Sequence, residues 1–92
     1  MNTVKWAVGA EDSYISILEY LRNDWNDDVA YNFYVAVERL VEGLQSFKNL
    51  CPQSPKFDNF RRCVINKHTS LTYRTSENEV EIIAFYYNKM KR

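Results

Sequence analysis

The sequence has few of the residues that break secondary structure or crosslink a chain: its 92 residues include two glycines, two prolines and two cysteines. It also has a single histidine. With 46% apolar and 26% charged residues, this composition indicates a globular chain that folds. No run of about 18 apolar residues is present, so we expect no membrane-spanning helix and no membrane partner. The N-terminus also lacks the basic and then apolar order of a signal peptide, and we therefore expect a cytoplasmic protein.

The two cysteines bear on both metal binding and redox state. Cys51 and Cys63 have a spacing that is not typical of metal ligands, so we expect no metal site and no cofactor. In the cytoplasm both would be reduced, and we expect two buried or half-buried thiols. A chain of 92 residues has room for one modest core, so residues 1–92 are predicted to form a single domain.

The net charge of zero hides an uneven distribution of charge along the chain. Residues 1–60 hold five Lys and Arg against nine Asp and Glu (5 − 9 = −4), whereas residues 61–92 hold seven against three (7 − 3 = +4). The basic C-terminal third could attract a phosphate backbone or an acidic partner segment over about 8 Å at physiological salt. An ordinary solvated surface explains the same counts, and overall neutrality argues against a protein that coats nucleic acid.

The first half of the sequence predicts a strand followed by two helices. Alternation of apolar and polar residues predicts a strand over Val4–Val8, which Gly9 would end. The period then becomes helical and predicts a first helix over Ala10–Asp24, and Asn26 or Asp27 would cap a second, antiparallel helix that ends between residues 47 and 50. The apolar face of the first helix carries Tyr14, Ile17, Leu18 and Leu21. The apolar stripe of the second helix carries Ala30, Phe33, Val37, Leu40, Val41 and Leu44.

A linker and three strands are predicted after the helices. The linker covers Cys51–Asn59, where two prolines disfavour helical backbone. The predicted strands are Arg61–Ile65, His68–Thr75 and Val80–Tyr86, with turns at residues 66–67 and 76–79. Asn66 suits the first turn because asparagine tolerates positive φ. The three strands are predicted to form an antiparallel meander, and the apolar run of the last one is typical of a central, two-sided strand.

This order, β-α-α-β-β-β, resembles the toxins of the RelE/ParE superfamily, which include plasmid-stabilisation proteins. The features that carry the resemblance are the strand with Trp6, the helix with residues 17–21, the proline-containing linker, Arg61-Arg62, Tyr73-Arg74 and the ending Val80–Lys89. The resemblance implies an α+β fold in which an antiparallel sheet packs against a two-helix hairpin. Many members have Asn-Arg near the end of this segment. This chain has Asn88-Lys89, and lysine keeps the charge but lacks the bidentate fork of arginine.

The resemblance also implies the toxin of a bacterial type II toxin–antitoxin system, which arrests growth and forms a hetero-oligomer with a cognate antitoxin. RelE-like members cut messenger RNA on the ribosome, and ParE-like members poison DNA gyrase. We favour the ParE-like activity because the sequence offers no obvious general base. The alternatives are a RelE-like ribosome-dependent endoribonuclease and a non-toxic module that binds the antitoxin. The acidic hairpin could dock onto a target protein, although the need to cover the sheet already explains its apolar stripes.

The candidate site residues are cations and proton-transfer groups from the last third of the chain. For a ribonuclease, Arg62 and Arg74 would stabilise the charged phosphate and Tyr87 would transfer protons. The predicted binding residues are Arg61, Lys67 and Lys89. Because neighbouring strand residues face opposite sides of a sheet, Arg61 and Arg62 cannot both face one substrate. Read without the family, the basic cluster is more typical of a surface patch than of a site.

Other residues could take the acid/base role. These are His68, Tyr86, Glu79 and Glu81. The single histidine lies beside a predicted turn, so a structural or solvent-exposed role is the expected one for His68. A tyrosine has an ordinary pKa of about 10 and needs nearby cations before it can act as a base. Aromatic packing is therefore the expected role for one of Tyr86 and Tyr87.

Overall fold

The computed structural model describes residues 1–88, and within them the chain forms the predicted order of one strand, two helices and three strands. The elements are β1 (Thr3–Trp6), α1 (Val8–Asp24), α2 (Asp27–Ser46), β2 (Arg61–Val64), β3 (Thr69–Ser76) and β4 (Glu79–Tyr87). The two helices and the sheet confirm the predicted α+β fold. In this part of the chain, neither helix has the length and apolar character needed to cross a membrane.

The four strands of the described residues form one sheet in the order β1-β4-β3-β2. β2, β3 and β4 are the predicted antiparallel meander, and β4 has the predicted central position. β1 differs, because it pairs with β4 in parallel, with Val4 opposite Val80 and Trp6 opposite Ile82. The sheet is therefore mixed rather than antiparallel throughout. The alternation of apolar residues predicted β1 as a strand but carries no information about its direction in the sheet.

The helices begin and end close to the predicted bounds, with one error at the start of α1. Val8 and Gly9 belong to the helix and not to the strand, because the backbone N–H groups of Ala10 and Glu11 already donate to the carbonyl of Ala7, over 2.9 and 3.2 Å. The prediction that Gly9 ends the first strand was wrong. The predicted cap of α2 is confirmed: the Asn26 side chain accepts a hydrogen bond from the backbone N–H of Val29 at 2.9 Å.

The core lies between the hairpin and one face of the sheet. Its fully or almost fully buried residues include Ala10, Ile17 and Leu21 of α1, Ala30, Phe33, Val37 and Leu44 of α2, and Leu71, Tyr73, Val80, Ile82 and Phe85 of the sheet. Leu40 and Val41, also predicted for the apolar stripe, are partly buried against this core. At one end of the core, the ring centroids of Tyr14 and Phe33 lie 5.6 Å apart. Burial there raises the pKa of Tyr14 to about 12.

A bulge in β4 decides which side chains face away from the helices. Thr72 pairs with Ala84 and Tyr73 pairs with Ile82, so Ile83 is the extra residue on β4. We call the sheet face that is not covered by the helices the outer face. By strand register it carries Arg62, Val64, Ser70, Thr72, Arg74, Glu79, Glu81, Ala84 and Tyr86.

The two cysteines form a disulfide, with their Cα atoms 5.3 Å apart, so the prediction of two reduced thiols was wrong. The fold brings them together because the backbone N–H of Arg62 donates to the carbonyl of Pro52 at 3.0 Å, and Gln53 forms a bridge with Arg61. The start of the linker therefore runs beside β2. A spacing of twelve residues does not reveal this contact until the path of the linker is known.

The connection between β2 and β3 uses asparagine differently from the prediction. No non-glycine residue among the described residues has a positive φ, so the proposed reason for Asn66 was wrong. Its side chain accepts hydrogen bonds from the backbone N–H groups of His68 and Thr69, at 2.9 and 3.0 Å. This side-chain acceptor fixes the turn without a left-handed backbone. The connection is also longer than predicted, because β2 ends at Val64.

Candidate functional site

The outer face of the sheet carries a cleft of about 380 Å³. We call residues 52–60 the covering loop. Part of this loop forms one wall of the cleft, and β2, β3 and the end of β4 form the rest. The lining residues are Ser54, Pro55, Lys56, Phe57, Arg62, Ser70, Thr72, Tyr86 and Asn88. Ser70 and Thr72 are buried although they face away from the helices, with 2% and 9% exposure. The cleft is therefore a covered part of an otherwise open sheet face.

Two groups that line this cleft have unused hydrogen-bonding capacity. The hydroxyl of Ser70 is buried and has no hydrogen-bond partner among residues 1–88. Arg62 is half-buried, and no described residue accepts a hydrogen bond from its guanidinium or forms an ion pair with it. Leaving a buried polar group unpaired costs about 1–3 kcal/mol, so such groups call for an explanation. A bound anion would satisfy both donors, and the exposed Lys56 adds a second cation to the same cleft.

Tyr86, rather than Tyr87, shares the cleft with Arg62. Tyr86 is opposite Ser70 in the register of β3 and β4, and it is 46% exposed. Tyr87 faces the helices, where its ring lies 4.9 Å from that of Tyr20 and 5.8 Å from that of His68. Burial, followed by a hydrogen bond to Tyr20, raises the pKa of Tyr87. Arg62 and Tyr87, which were predicted to act together, thus lie on opposite faces of the sheet.

Charged side chains elsewhere on the sheet are paired with one another. Arg74 lies on the outer face as Arg62 does, but its Nε and Nη2 atoms both lie 2.9 Å from Oε1 of Glu81. Glu79 pairs with Lys5, with 3.5 Å between Oε2 and Nζ. Among the described residues, the cleft is lined by no carboxylate and no imidazole. Its cations suit an anion, and Tyr86 brings a phenolic hydroxyl to the same cleft.

The remaining predicted site residues lie elsewhere. Arg61 faces the side opposite to Arg62, as alternation predicted, and its Nη1 donates to the carbonyl of Cys51 at 2.6 Å. Lys67 is exposed in the connection between β2 and β3, and neither it nor His68 lines the cleft. Lys89 lies outside the described residues. The structure therefore brings only Arg62 of the predicted catalytic set into the cleft.

The sequence reasoning missed Ser70, Thr72 and Lys56. A signal for the first two was present, because Ser70, Thr72 and Arg74 alternate with Leu71 and Tyr73 along β3 and so share one polar face. No comparable signal pointed to Lys56, which reaches the cleft only through the path of the covering loop.

The hairpin presents a second and oppositely charged surface. Residues 8–46 hold eight Asp and Glu against two Lys and Arg (2 − 8 = −6). All eight of these acidic side chains are exposed, and Tyr31 and Tyr34 add exposed rings 6.1 Å apart on α2. The molecule thus has an acidic helical surface and, on the outer face, a cleft with two cations.

Comparison with known proteins identifies the fold. No protein-family profile and no curated protein sequence matches the chain. Among solved structures, a chain of the chromosomal ParDE toxin–antitoxin system from P. aeruginosa is similar with a TM-score of 0.80 and 16% identity, covering 97% of this chain and 98% of that chain. The YoeB/ParE toxin from Agrobacterium tumefaciens is similar with a TM-score of 0.69 and 14% identity, covering 95% and 99%.

A chain of the heterotetrameric YoeB-YefM toxin–antitoxin complex from Staphylococcus aureus is also similar, with a TM-score of 0.65 and 14% identity, covering 97% of this chain and 99% of that chain. In each comparison the match spans nearly all of both chains, at an identity too low to transfer residue roles. The chain therefore has the fold of the RelE/ParE toxins.

Proposed function

We propose that this chain is the toxin of a type II toxin–antitoxin system and that a cognate antitoxin neutralises it. Support comes from the fold, which spans the full length of solved toxins, and from the YoeB-YefM complex, in which a chain of this fold is bound in a toxin–antitoxin assembly. The two charged surfaces suit a partner segment that covers both the hairpin and the sheet. An acidic part of that segment would bind at the cleft.

We further propose DNA gyrase as the target, as in ParE-like toxins. The observation that carries this choice is the chemistry of the cleft. Cutting RNA requires a base to activate the 2′-hydroxyl and an acid to protonate the leaving oxygen. The described lining residues offer cations and hydroxyls but neither carboxylate nor imidazole, so the cleft suits anion binding better than proton transfer.

The direct test is to add the purified chain to DNA gyrase and plasmid and to measure supercoiling and trapped DNA cleavage. We expect inhibition by the wild-type chain and at least tenfold weaker inhibition by Arg62→Ala. Lys67→Ala is the matched control, because it also removes one positive charge but lies outside the cleft. Unchanged gyrase activity with a chain that arrests growth would exclude this target.

One observation favours the ribonuclease as a second candidate. Arg62 and Lys56 lie in the same cleft as Tyr86 and the unpaired hydroxyl of Ser70. Two cations could stabilise the extra charge of a pentacoordinate phosphate, and Tyr86 could donate the proton to the leaving group. For this activity, Tyr86→Phe should abolish cleavage of ribosome-bound messenger RNA, while Tyr87→Phe should leave it intact. Equal loss in both variants would remove the outer face from the mechanism.

The charge distribution also predicts the behaviour of the antitoxin complex. Pairing of an acidic antitoxin segment with the basic cleft should make the affinity fall modestly as salt is raised from low to high concentration. An affinity that does not depend on salt would contradict an electrostatic contribution from the cleft. Isothermal titration at several ionic strengths provides the measurement.

A further inference from the structure

The disulfide lies at the base of the loop that forms one wall of the cleft. Cys51 immediately precedes the covering loop, and Cys63 follows Arg62 in β2. The side chains of Arg62 and Cys63 face opposite sides of the sheet, so the disulfide lies on the helix side while Arg62 lines the cleft. The disulfide therefore joins the two ends of the loop that brings Lys56 and Phe57 to the cleft on the outer face.

The middle of the covering loop has no hydrogen bonds to the sheet among the described residues. Near its ends, the N–H of Arg62 donates to the carbonyl of Pro52 at 3.0 Å, and the N–H of Ser54 donates to the carbonyl of Phe60 at 2.7 Å. Farther along, the N–H groups of Lys56 and Phe57 donate only within the loop, to the hydroxyl of Ser54 at 3.1 and 3.3 Å. The position of the wall therefore depends on how firmly the base of the loop is held.

The base keeps some anchors when the disulfide is absent. The N–H of Cys51 donates to the hydroxyl of Tyr73 at 3.2 Å, and its carbonyl accepts from Nη1 of Arg61 at 2.6 Å. These bonds can keep the reduced chain folded, but each can open transiently, whereas the disulfide cannot. Loss of the crosslink should therefore act on the covering loop before it acts on the core.

We propose that the Cys51–Cys63 disulfide is a redox switch for the cleft: the oxidised form holds the wall in place, and reduction loosens it and weakens anion binding. This rests on the proposed role of the cleft in toxin action. A dithiol reductant attacks one sulfur, forms a mixed disulfide and leaves as its own intramolecular disulfide. Two electrons and two protons pass to the protein, which then holds two thiols. Because protein disulfides rarely persist in a reducing cytosol, the redox poise of the cell would set the state of the toxin.

The test compares the oxidised and the dithiothreitol-reduced full chain by hydrogen exchange and by titration with inorganic phosphate. At labelling times too short for exchange through global unfolding, we expect reduction to increase amide exchange in residues 52–60 at least tenfold while β3 and β4 stay protected. Phosphate binding should weaken at least threefold. The double variant Cys51→Ser, Cys63→Ser should behave as the reduced chain with or without dithiothreitol. Should this variant fail to fold, the wild-type comparison still decides.

Two outcomes would overturn the switch. One is equal exchange and equal phosphate affinity in both redox states; the other is that, at the same short labelling times, reduction removes protection from β3 and β4 as well as from the loop. These readouts report on the loop and the cleft and not on the cellular target. If Arg62→Ala stays fully toxic while reduction still loosens the loop, the proposed function of the cleft fails and the switch stands. If Arg62→Ala is inactive and reduction changes neither exchange nor phosphate affinity, the switch fails and the proposed function of the cleft stands.

Discussion

Replacing Ser70 by alanine should stabilise the protein and weaken its function at the same time. The Ser70 hydroxyl is buried, lines the cleft and has no hydrogen-bond partner among the described residues. In the unfolded chain the same hydroxyl is hydrogen-bonded to water, so folding loses that interaction without replacement. Alanine removes the polar atom and with it the cost of burying it.

The expected gain can be set against the loss of packing. An unpaired buried hydroxyl costs about 1–3 kcal/mol, whereas deleting one small atom at the floor of an open cleft loses only a few van der Waals contacts of about 0.1–0.2 kcal/mol each. We therefore expect Ser70→Ala to raise the free energy of unfolding by about 1 kcal/mol. Because the hydroxyl is a donor for a bound anion, phosphate affinity and toxicity should fall.

Thr69 supplies the matched control. Its hydroxyl is also buried and unpaired in the described part of the chain, but it faces the helices and borders a separate cavity near Trp25 and Tyr87. Thr69→Val should give a similar gain in urea unfolding and leave phosphate binding and toxicity unchanged. Destabilisation of the chain by about 1 kcal/mol or more in Ser70→Ala would show that the hydroxyl is satisfied in the folded state. An equal effect of both variants on function would also contradict the prediction.

Other perturbations probe the fold directly. Removing the crosslink between Cys51 and Cys63, which are twelve residues apart, should lower the free energy of unfolding by about 3 kcal/mol through the entropy of the unfolded chain; urea unfolding with and without reductant measures this, and an unchanged midpoint would contradict it. Asn26→Ala should cost about 0.5–2 kcal/mol, because it removes the acceptor for the N–H of Val29; an unaltered melting temperature would show that the cap contributes nothing. Burial raises the pKa of Tyr14 from 10.0 to about 12 in the folded state. Its contribution to stability is therefore complete below pH 10 and lost as pH rises toward 12, so the wild-type chain should lose more stability than Tyr14→Phe over this range. Equal losses in thermal melts at high pH would exclude this cause.

The helices and the position of β4 were predictable because burial leaves a periodic record in the sequence. Phe33 and Val37 lie four residues apart on one helical stripe, and both are buried in the core. The apolar run that became β4 is typical of a central strand, and β4 lies between β1 and β3. The direction of β1 left no comparable record, because a short alternating strand pairs equally well in either direction.

The identity of the tyrosine in the cleft depended on a feature that local periodicity cannot give. Strict alternation from Ile82 would place Tyr86 toward the helices and Tyr87 outside. The bulge at Ile83 shifts the register by one residue, so Phe85 and Tyr87 face the helices and Tyr86 faces the cleft. A bulge is decided by packing against the neighbouring strand, and the sequence of β4 alone does not specify it.

The cleft itself was only partly predictable for a similar reason. Alternation predicted that Arg61 and Arg62 face opposite sides of the sheet, and the structure confirms that separation. Alternation alone does not say which of the two faces the cleft. The covering loop, the disulfide at its base and the burial of Ser70 all follow from the path of nine residues with no periodic pattern. Long-range contacts of this kind depend on the assembled sheet.

Gyrase as the target is tested most directly by inducing this chain in bacterial cells, alongside Arg62→Ala and Lys67→Ala. The integrity of chromosomal DNA and of translated messages is followed from the onset of growth arrest. We expect the wild-type chain and Lys67→Ala to arrest growth with DNA breaks and intact messages, and Arg62→Ala to be much less toxic. Rapid fragmentation of translated messages with intact DNA would contradict gyrase as the target, and normal growth with the wild-type chain would contradict a toxin.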